Sequence, residues 1–167
     1  MYFKMSEWKN TSITLISKDG FDHDLKLGAA IHSGLIKALL DISDEQITNN
    51  SIELDDLNMK IPLNDINGNI LSKIINYLNY ITFDNSNLNN FFEKFLDEID
   101  HDTLFDIIIG TNYLEIKCLL DLTCKAVADE IKQCSTPQEI RKKFNIVNDF
   151  TPEEEAEVIK ENEWCQD

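Results

Sequence analysis

Three histidines (His23, His32 and His101) and four cysteines (Cys118, Cys124, Cys134 and Cys165) are the residues through which this chain could do nucleophilic or metal chemistry. A structural zinc site gathers its ligands in closely spaced pairs, so that four donors converge on one ion. Here no histidine has a ligand-type residue at i+3 or i+4, and no two cysteines form a Cys-x-x-Cys pair. Cys124 with a distant histidine could be written as a nucleophile and its base, which makes a cysteine-dependent hydrolase the enzymatic alternative. The adjacent carboxylates Asp55-Asp56 and Asp97-Glu98 sit among polar neighbours, the setting of a solvated face rather than of an acid–base dyad. Five glycines leave no Gly-x-x-x-x-Gly-Lys phosphate loop and no Gly-x-Gly-x-x-Gly turn, and there is no Gly-x-Ser-x-Gly elbow. The expectation is a chain with no catalytic residue, no metal and no cofactor.

Charge narrows the partners. Acidic residues number 31 against 15 basic, for a net charge of −16. Phosphate backbones and anionic lipid surfaces both demand clustered Lys and Arg, so neither nucleic acid nor membrane is an expected partner. No apolar run reaches the length of a membrane span, and the first residues lack a signal-peptide core. A cytoplasmic and nuclear protein is expected. With 43% apolar residues in 167, there is material for one cored domain with an appendage.

The elements that would position any site read as follows. Residues 12–17 and 21–27 alternate around Asp19-Gly20 as a hairpin. Gly28 breaks the pattern, and Leu35, Ile36, Leu39 and Leu40 suggest a short helix. Residues 41–59 are polar and read as a loop, and Lys60-Ile61-Pro62-Leu63 as an edge strand, since proline lacks a ladder donor. From Asn67 onward the period is helical. Ile70, Leu71, Ile74, Ile75, Leu78 and Ile81 share a face, residues 84–90 are an asparagine-rich loop, and Phe91, Phe92, Phe95, Leu96 and Ile99 make a second stripe. Residues 100–112 are apolar nearly all round, which predicts a buried central helix. Ile116, Leu119, Leu120, Thr123, Val127 and Ile131 predict a helix of about four turns, with Cys118 and Cys124 as buried packing thiols.

Thr136-Pro137-Gln138-Glu139 and Thr151-Pro152-Glu153-Glu154 repeat one pattern: a capping threonine, a first-turn proline, and a glutamate placed to close a capping box. Two short helices therefore begin near Pro137 and Pro152. Between and beyond them lie Phe144, Ile146, Val147, Phe150, Val158, Ile159 and Trp164, many large apolar groups for a solvated tail. They either cap the chain's own core or form a groove for a partner helix.

The run Gly110-Thr111-Asn112-Tyr113-Leu114-Glu115-Ile116-Lys117, then 119–125, 136–146, Asn148-Asp149-Phe150-Thr151, Glu153-Glu154-Glu155 and 160–165, resembles the S-phase kinase-associated (Skp) adaptor family of SCF-type cullin ubiquitin ligases. Residues 100–167 carry the resemblance most specifically; 13–20 and the helix after Pro62-Leu63-Asn64 carry it more loosely. The resemblance implies an α/β N-terminal BTB/POZ-like domain (1–134), a small sheet with helices, then a two-helix C-terminal extension (135–167). It implies a non-catalytic adaptor that bridges a cullin to F-box substrate receptors in ubiquitin-dependent degradation. Asn112 and Tyr113 fall at cullin-contacting positions. Ile116, Leu119, Leu120, Val127, Ile131, Phe144, Ile146, Phe150, Trp164 and Cys165 fall in the F-box-binding region. Because an exposed apolar concavity is costly alone, the isolated chain is expected either to self-associate, as a homodimer in the absence of an F-box protein, or to have a mobile tail that F-box partners order.

Pro152 resembles a proline that in protist relatives is hydroxylated by an oxygen-dependent enzyme and then glycosylated, which would make it a modification site. The chain departs from the family at 84–90, where many relatives have a longer acidic, proline-rich loop, and at Cys118, where they usually have glycine. The alternative adaptor reading is an elongin-C-like chain, but such relatives lack an extension like 144–164.

Overall fold

The computed structural model describes residues 8–52, 60–84 and 86–162. Two compact units divide the chain, Met1–Ala126 and Val127–Asp167.

The first unit is built on a three-stranded sheet. Strand β1 (Ser12–Ser17) pairs antiparallel with β2 (Asp22–Lys26) and parallel with β3 (Lys60–Leu63), so the order is β2-β1-β3. Alternation sends Ile13, Leu15, Leu25, Ile61 and Leu63 inward, all buried. The hairpin and the edge position of the proline-containing strand are as the pattern predicts. A parallel neighbour requires a long crossover. Here it carries α1 (Leu27–Ala30), α2 (Gly34–Leu39) and α3 (Asp44–Thr48).

Helix α3 lies where the composition predicts a loop. Its signal is a capping box: the Ser43 side chain accepts from the Gln46 N–H, and the Gln46 side chain accepts from the Ser43 N–H. The remainder of the expected loop, 53–59, lies outside the described residues.

Helix α4 (Gly68–Asn79) buries Ile70, Leu71, Ile74, Ile75, Tyr77 and Leu78. Its own N-cap residue, Asn67, makes no side-chain cap. Asp19 of the hairpin turn does so instead, Oδ1 accepting from the Gly68 N–H at 2.9 Å. A Cβ at Gly68 would meet His23 Nε2 at 3.0 Å, so a larger residue there would have to push the turn's side chains aside. A π-helical turn, Tyr80–Asp84, follows.

Helix α5 (Leu88–Asp97) begins earlier than the phenylalanine stripe predicts, inside the stretch read as an asparagine-rich loop. Asn87 caps it by accepting from the Asn90 N–H, and the Asn87 N–H donates to the Tyr80 hydroxyl at 2.9 Å. The Tyr80 ring stacks on Phe91 at 3.9 Å. Helices α6 (His101–Tyr113) and α7 (Lys117–Lys132) follow, α7 running from the first unit into the second.

The second unit adds α8 (Pro137–Lys143) and α9 (Pro152–Glu161), both with threonine caps and proline in the first turn. Only Thr151 has the reciprocal box with Glu154. At Thr136 the glutamate reaches one residue further back, Glu139 Oε2 accepting from the Ser135 N–H at 2.7 Å. Among the described residues no helix is long and apolar enough to cross a membrane.

Candidate functional site

Helix α6 is fixed at its start by Asp100, which accepts from the Thr103 N–H at 2.8 Å. Hydrogen bonds from the Thr103 side chain and backbone hold the Asp100 carboxyl below its ordinary range. One face of the helix, Leu104, Ile107, Gly110 and Thr111, is buried. A Cβ on Gly110 would lie 3.1 Å from the Ile74 side chain, which shows how closely α6 approaches α4. The opposite face carries Phe105, Ile109 and Tyr113, spaced at i, i+4 and i+8, at 37%, 65% and 36% exposure.

The expectation of a buried central helix therefore holds for one face and not for the other. An all-round apolar helix has two apolar stripes, and only one is covered by the chain itself. Asn112 and Tyr113 sit exposed at the end of the outward stripe. Phe105 and Ile109, which share it, went unassigned from the sequence. The readable signal was the surplus of large apolar groups over what one core-facing stripe needs.

The turn from α6 to α7 is tied down by α2. Ser33 Oγ donates to the Leu114 carbonyl at 2.6 Å, and the Gly34 N–H donates to that of Glu115. Glu115 turns the chain with φ of 55°. Ile116 and Leu119 are fully buried in the first unit's core, so they can serve a partner only by supporting the start of α7. Leu120 is half-buried.

Cys118 and Cys124 are exposed, contrary to the expectation of packing thiols. The line that α7 buries runs through Leu119 and Thr123, and each cysteine stands one residue, about 100° of helix, off that line. Burial, with the Cys118 thiol alongside, pushes the Tyr77 hydroxyl above its ordinary pKa.

In the second unit none of the described residues is fully buried. Ile131, Ile146, Val147, Phe150, Val158 and Ile159 are all at least 40% exposed, and Val127 and Phe144 are half-buried. Among the described residues, none of the apolar groups expected to cap the chain's own core or to line a partner groove is fully buried. What fixes its backbone is polar. Arg141 Nη1 donates to Glu155 Oε1 at 2.8 Å, joining α8 to α9, and its guanidinium lies 5.8 Å from the centre of the Phe150 ring. Asn148 donates to the other Glu155 oxygen, and Lys143 pairs with Glu130 at 3.3 Å. Pro152 is exposed at the first position of α9. Trp164 and Cys165 lie outside the described residues.

Among the described residues no group of three or more His, Cys, Asp or Glu could hold a metal ion. What the geometry offers is an exposed apolar surface in each of the two units.

Comparison with known proteins gives both units relatives. The Skp1 family tetramerisation domain matches residues 11–82 and the Skp1 family dimerisation domain matches 117–165. SKP1-like protein 11 of Arabidopsis thaliana is 43% identical over 159 residues, covering 92% of this chain and 95% of the relative. The E3 ubiquitin ligase complex SCF subunit sconC of Arthroderma otae is 37% identical over 177 residues, covering 98% and 99%. SKP1-like protein 1 of Oryza sativa subsp. japonica is 38% identical over 183 residues, covering 96% and 98%.

Proposed function

The chain belongs to the Skp1 family, and from that premise we propose that it is the non-catalytic adaptor of an SCF-type ubiquitin ligase, joining a cullin to F-box proteins. Its BTB/POZ-like unit and helical extension are the fold of that family. The observation that carries the adaptor reading is the pair of uncovered apolar surfaces on two distinct compact units. An adaptor must hold two proteins at once, and by doing so it raises the local concentration of one near the other without making or breaking a bond. The match through residue 165 weighs against an elongin-C-like chain, which would leave the extension unmatched.

In finer detail, the cullin docks on Phe105, Ile109, Asn112 and Tyr113, and the F-box helices dock on the apolar groups of the second unit. Without an F-box protein the same second surface pairs two copies of the chain. Copurification from the native source tests the whole reading. Wild type should bring down a cullin and F-box proteins; Asn112→Lys with Tyr113→Lys should lose the cullin and keep the F-box proteins. Recovery of neither partner by the wild type sinks the proposal.

A further inference from the structure

Beside the outward stripe of α6 lies a pocket. Asp65, Ile66 and Asn67, which lead into α4, and Ile70 in its first turn form one wall; Asp106, Ile109 and Gly110 of α6 form the other. The space between them is about 290 Å³, open mouth included. Its floor is apolar, with Ile66 and Ile70 buried. Its rim is anionic: Asp65 and Asp106 are exposed, and neither has an ion-pair partner among the described residues. Asn67, also at the rim, does not use its side chain to cap α4.

Two opposing fields meet here, and their magnitudes decide the sign. The α4 N-terminus contributes roughly half a positive charge, and its Gly68 N–H is already taken by Asp19. Two carboxylates outweigh it, so the pocket selects a cation. A partner's side chain enters head first, so the occupant needs a flat, weakly hydrated cationic head that can lie on the apolar floor while its edge faces the rim carboxylates. A guanidinium fits better than an ammonium, because it lies flat on apolar surface and its fork can serve two carboxylates. Ile109 belongs both to this pocket and to the proposed cullin stripe, which makes the two surfaces continuous.

We propose that this pocket is a socket for one arginine side chain of the cullin. The socket rests on the reading of α6 as the cullin face, and it gives that face a charge-selective element beyond its apolar stripe.

The test titrates the N-terminal helical domain of a cullin from the same source against the full-length protein. Three forms are compared at low and physiological salt: wild type, the double variant Asp65→Asn/Asp106→Asn, and Tyr113→Lys. The double variant should bind roughly 10-fold more weakly at low salt, with the loss shrinking as salt rises. Its melting temperature should match wild type, since both side chains are exposed. One arginine-to-glutamine variant of the cullin domain should lose the same factor, and combining it with the double variant should lose no more. If wild type binds, Tyr113→Lys does not, and the double variant matches wild type at both salts, the socket is wrong while the cullin face stands. The socket also fails if no cullin arginine couples to the two aspartates. If wild type binds no cullin at all, the reading beneath the socket falls and the socket with it.

Discussion

Ile107 and Ile109 stand two residues apart on α6; the first is 0% exposed and the second 65%. Truncating each to alanine removes the same atoms from opposite environments. At Ile107 the loss combines transfer free energy with a cavity against a packed neighbour, about 2–5 kcal/mol. At roughly 2–4 °C per kcal/mol for a chain of this size, the melting midpoint should fall by about 4–20 °C. At Ile109 only a third of the residue is covered in the free chain, so the same change costs about 0.5–1 kcal/mol. Part of that is offset by alanine's higher helix propensity, a few tenths of a kcal/mol. The two-thirds still exposed is what a cullin would cover, about 1–2 kcal/mol on the same scale, or roughly 5–30-fold in Kd. Calorimetric melting and isothermal titration with a cullin N-terminal domain separate the two effects. Ile107→Ala should melt early and, while folded, bind near wild type. Ile109→Ala should melt normally and bind weakly. A similar melting loss for both variants, or an unchanged cullin affinity for Ile109→Ala, would refute the assignment of the two stripes.

Further expectations concern the second unit and the helix caps. Arg141 and Glu155 are 22% and 28% exposed, so their charge-assisted bond, discounted for solvent, contributes about 1–2 kcal/mol. Arg141→Ala should therefore speed hydrogen exchange in α9 and weaken F-box binding by a similar factor, roughly 5–30-fold, with cullin affinity unchanged; equal losses for both partners would count against it. Glu154 is held below its ordinary pKa by hydrogen bonds from the Thr151 backbone and then its hydroxyl. A lowered carboxylate stabilises the cap above its unfolded pKa and ceases to do so as pH falls through the folded one. Protection of α9 should thus drop at acid pH below the ordinary glutamate range, and Glu154→Gln should flatten that step in an exchange-versus-pH profile. Finally, intact-mass analysis of protein from its native source should find Pro152 one oxygen atom heavier, with or without attached sugar; an unmodified proline under oxygen-replete growth would remove the modification reading.

Where a periodic pattern and a local signal agreed, the chain could be read directly. The hairpin, the edge strand with Pro62, the α4 stripe and both threonine–proline helix starts are of this kind. Helix α3 is hidden in a polar stretch whose composition outweighs the Ser43-x-x-Gln46 box, yet for five residues the caps matter more than any apolar face. The start of α5 was hidden for a related reason: asparagines suggest a loop, but Asn87 is itself the cap. Tyr80, which receives the Asn87 N–H, comes from the preceding turn and has no local pattern to announce it. On α6 the composition could not say which apolar stripe would meet α4. That depends on Gly110 allowing close approach on one side only, a tertiary fact. The exposed thiols of α7 failed similarly: a 100° offset separates Leu119 from Cys118, and apolar context alone does not resolve it.

The two surfaces differ in how they are supported, and that difference bears on how an adaptor would work. The α6 stripe stands on a packed core in which Ile74, Ile107 and Leu114 are at most 1% exposed, so its shape exists before any partner arrives. The second unit has no such interior among its described residues. Its described helices are held instead by caps, each worth about 0.5–2 kcal/mol, and by partly exposed ion pairs. Residues 151–167 also hold seven acidic residues and one lysine, a charge density that keeps an apolar surface soluble while it waits. Covering Ile146, Val147, Phe150, Val158 and Ile159 supplies the missing apolar burial only when a partner is present. On the proposed reading, binding on this side should be coupled to ordering, and variants that loosen α8 and α9 should weaken it without touching the partner itself. Binding on the α6 side should resemble rigid docking, sensitive to the contact residues alone.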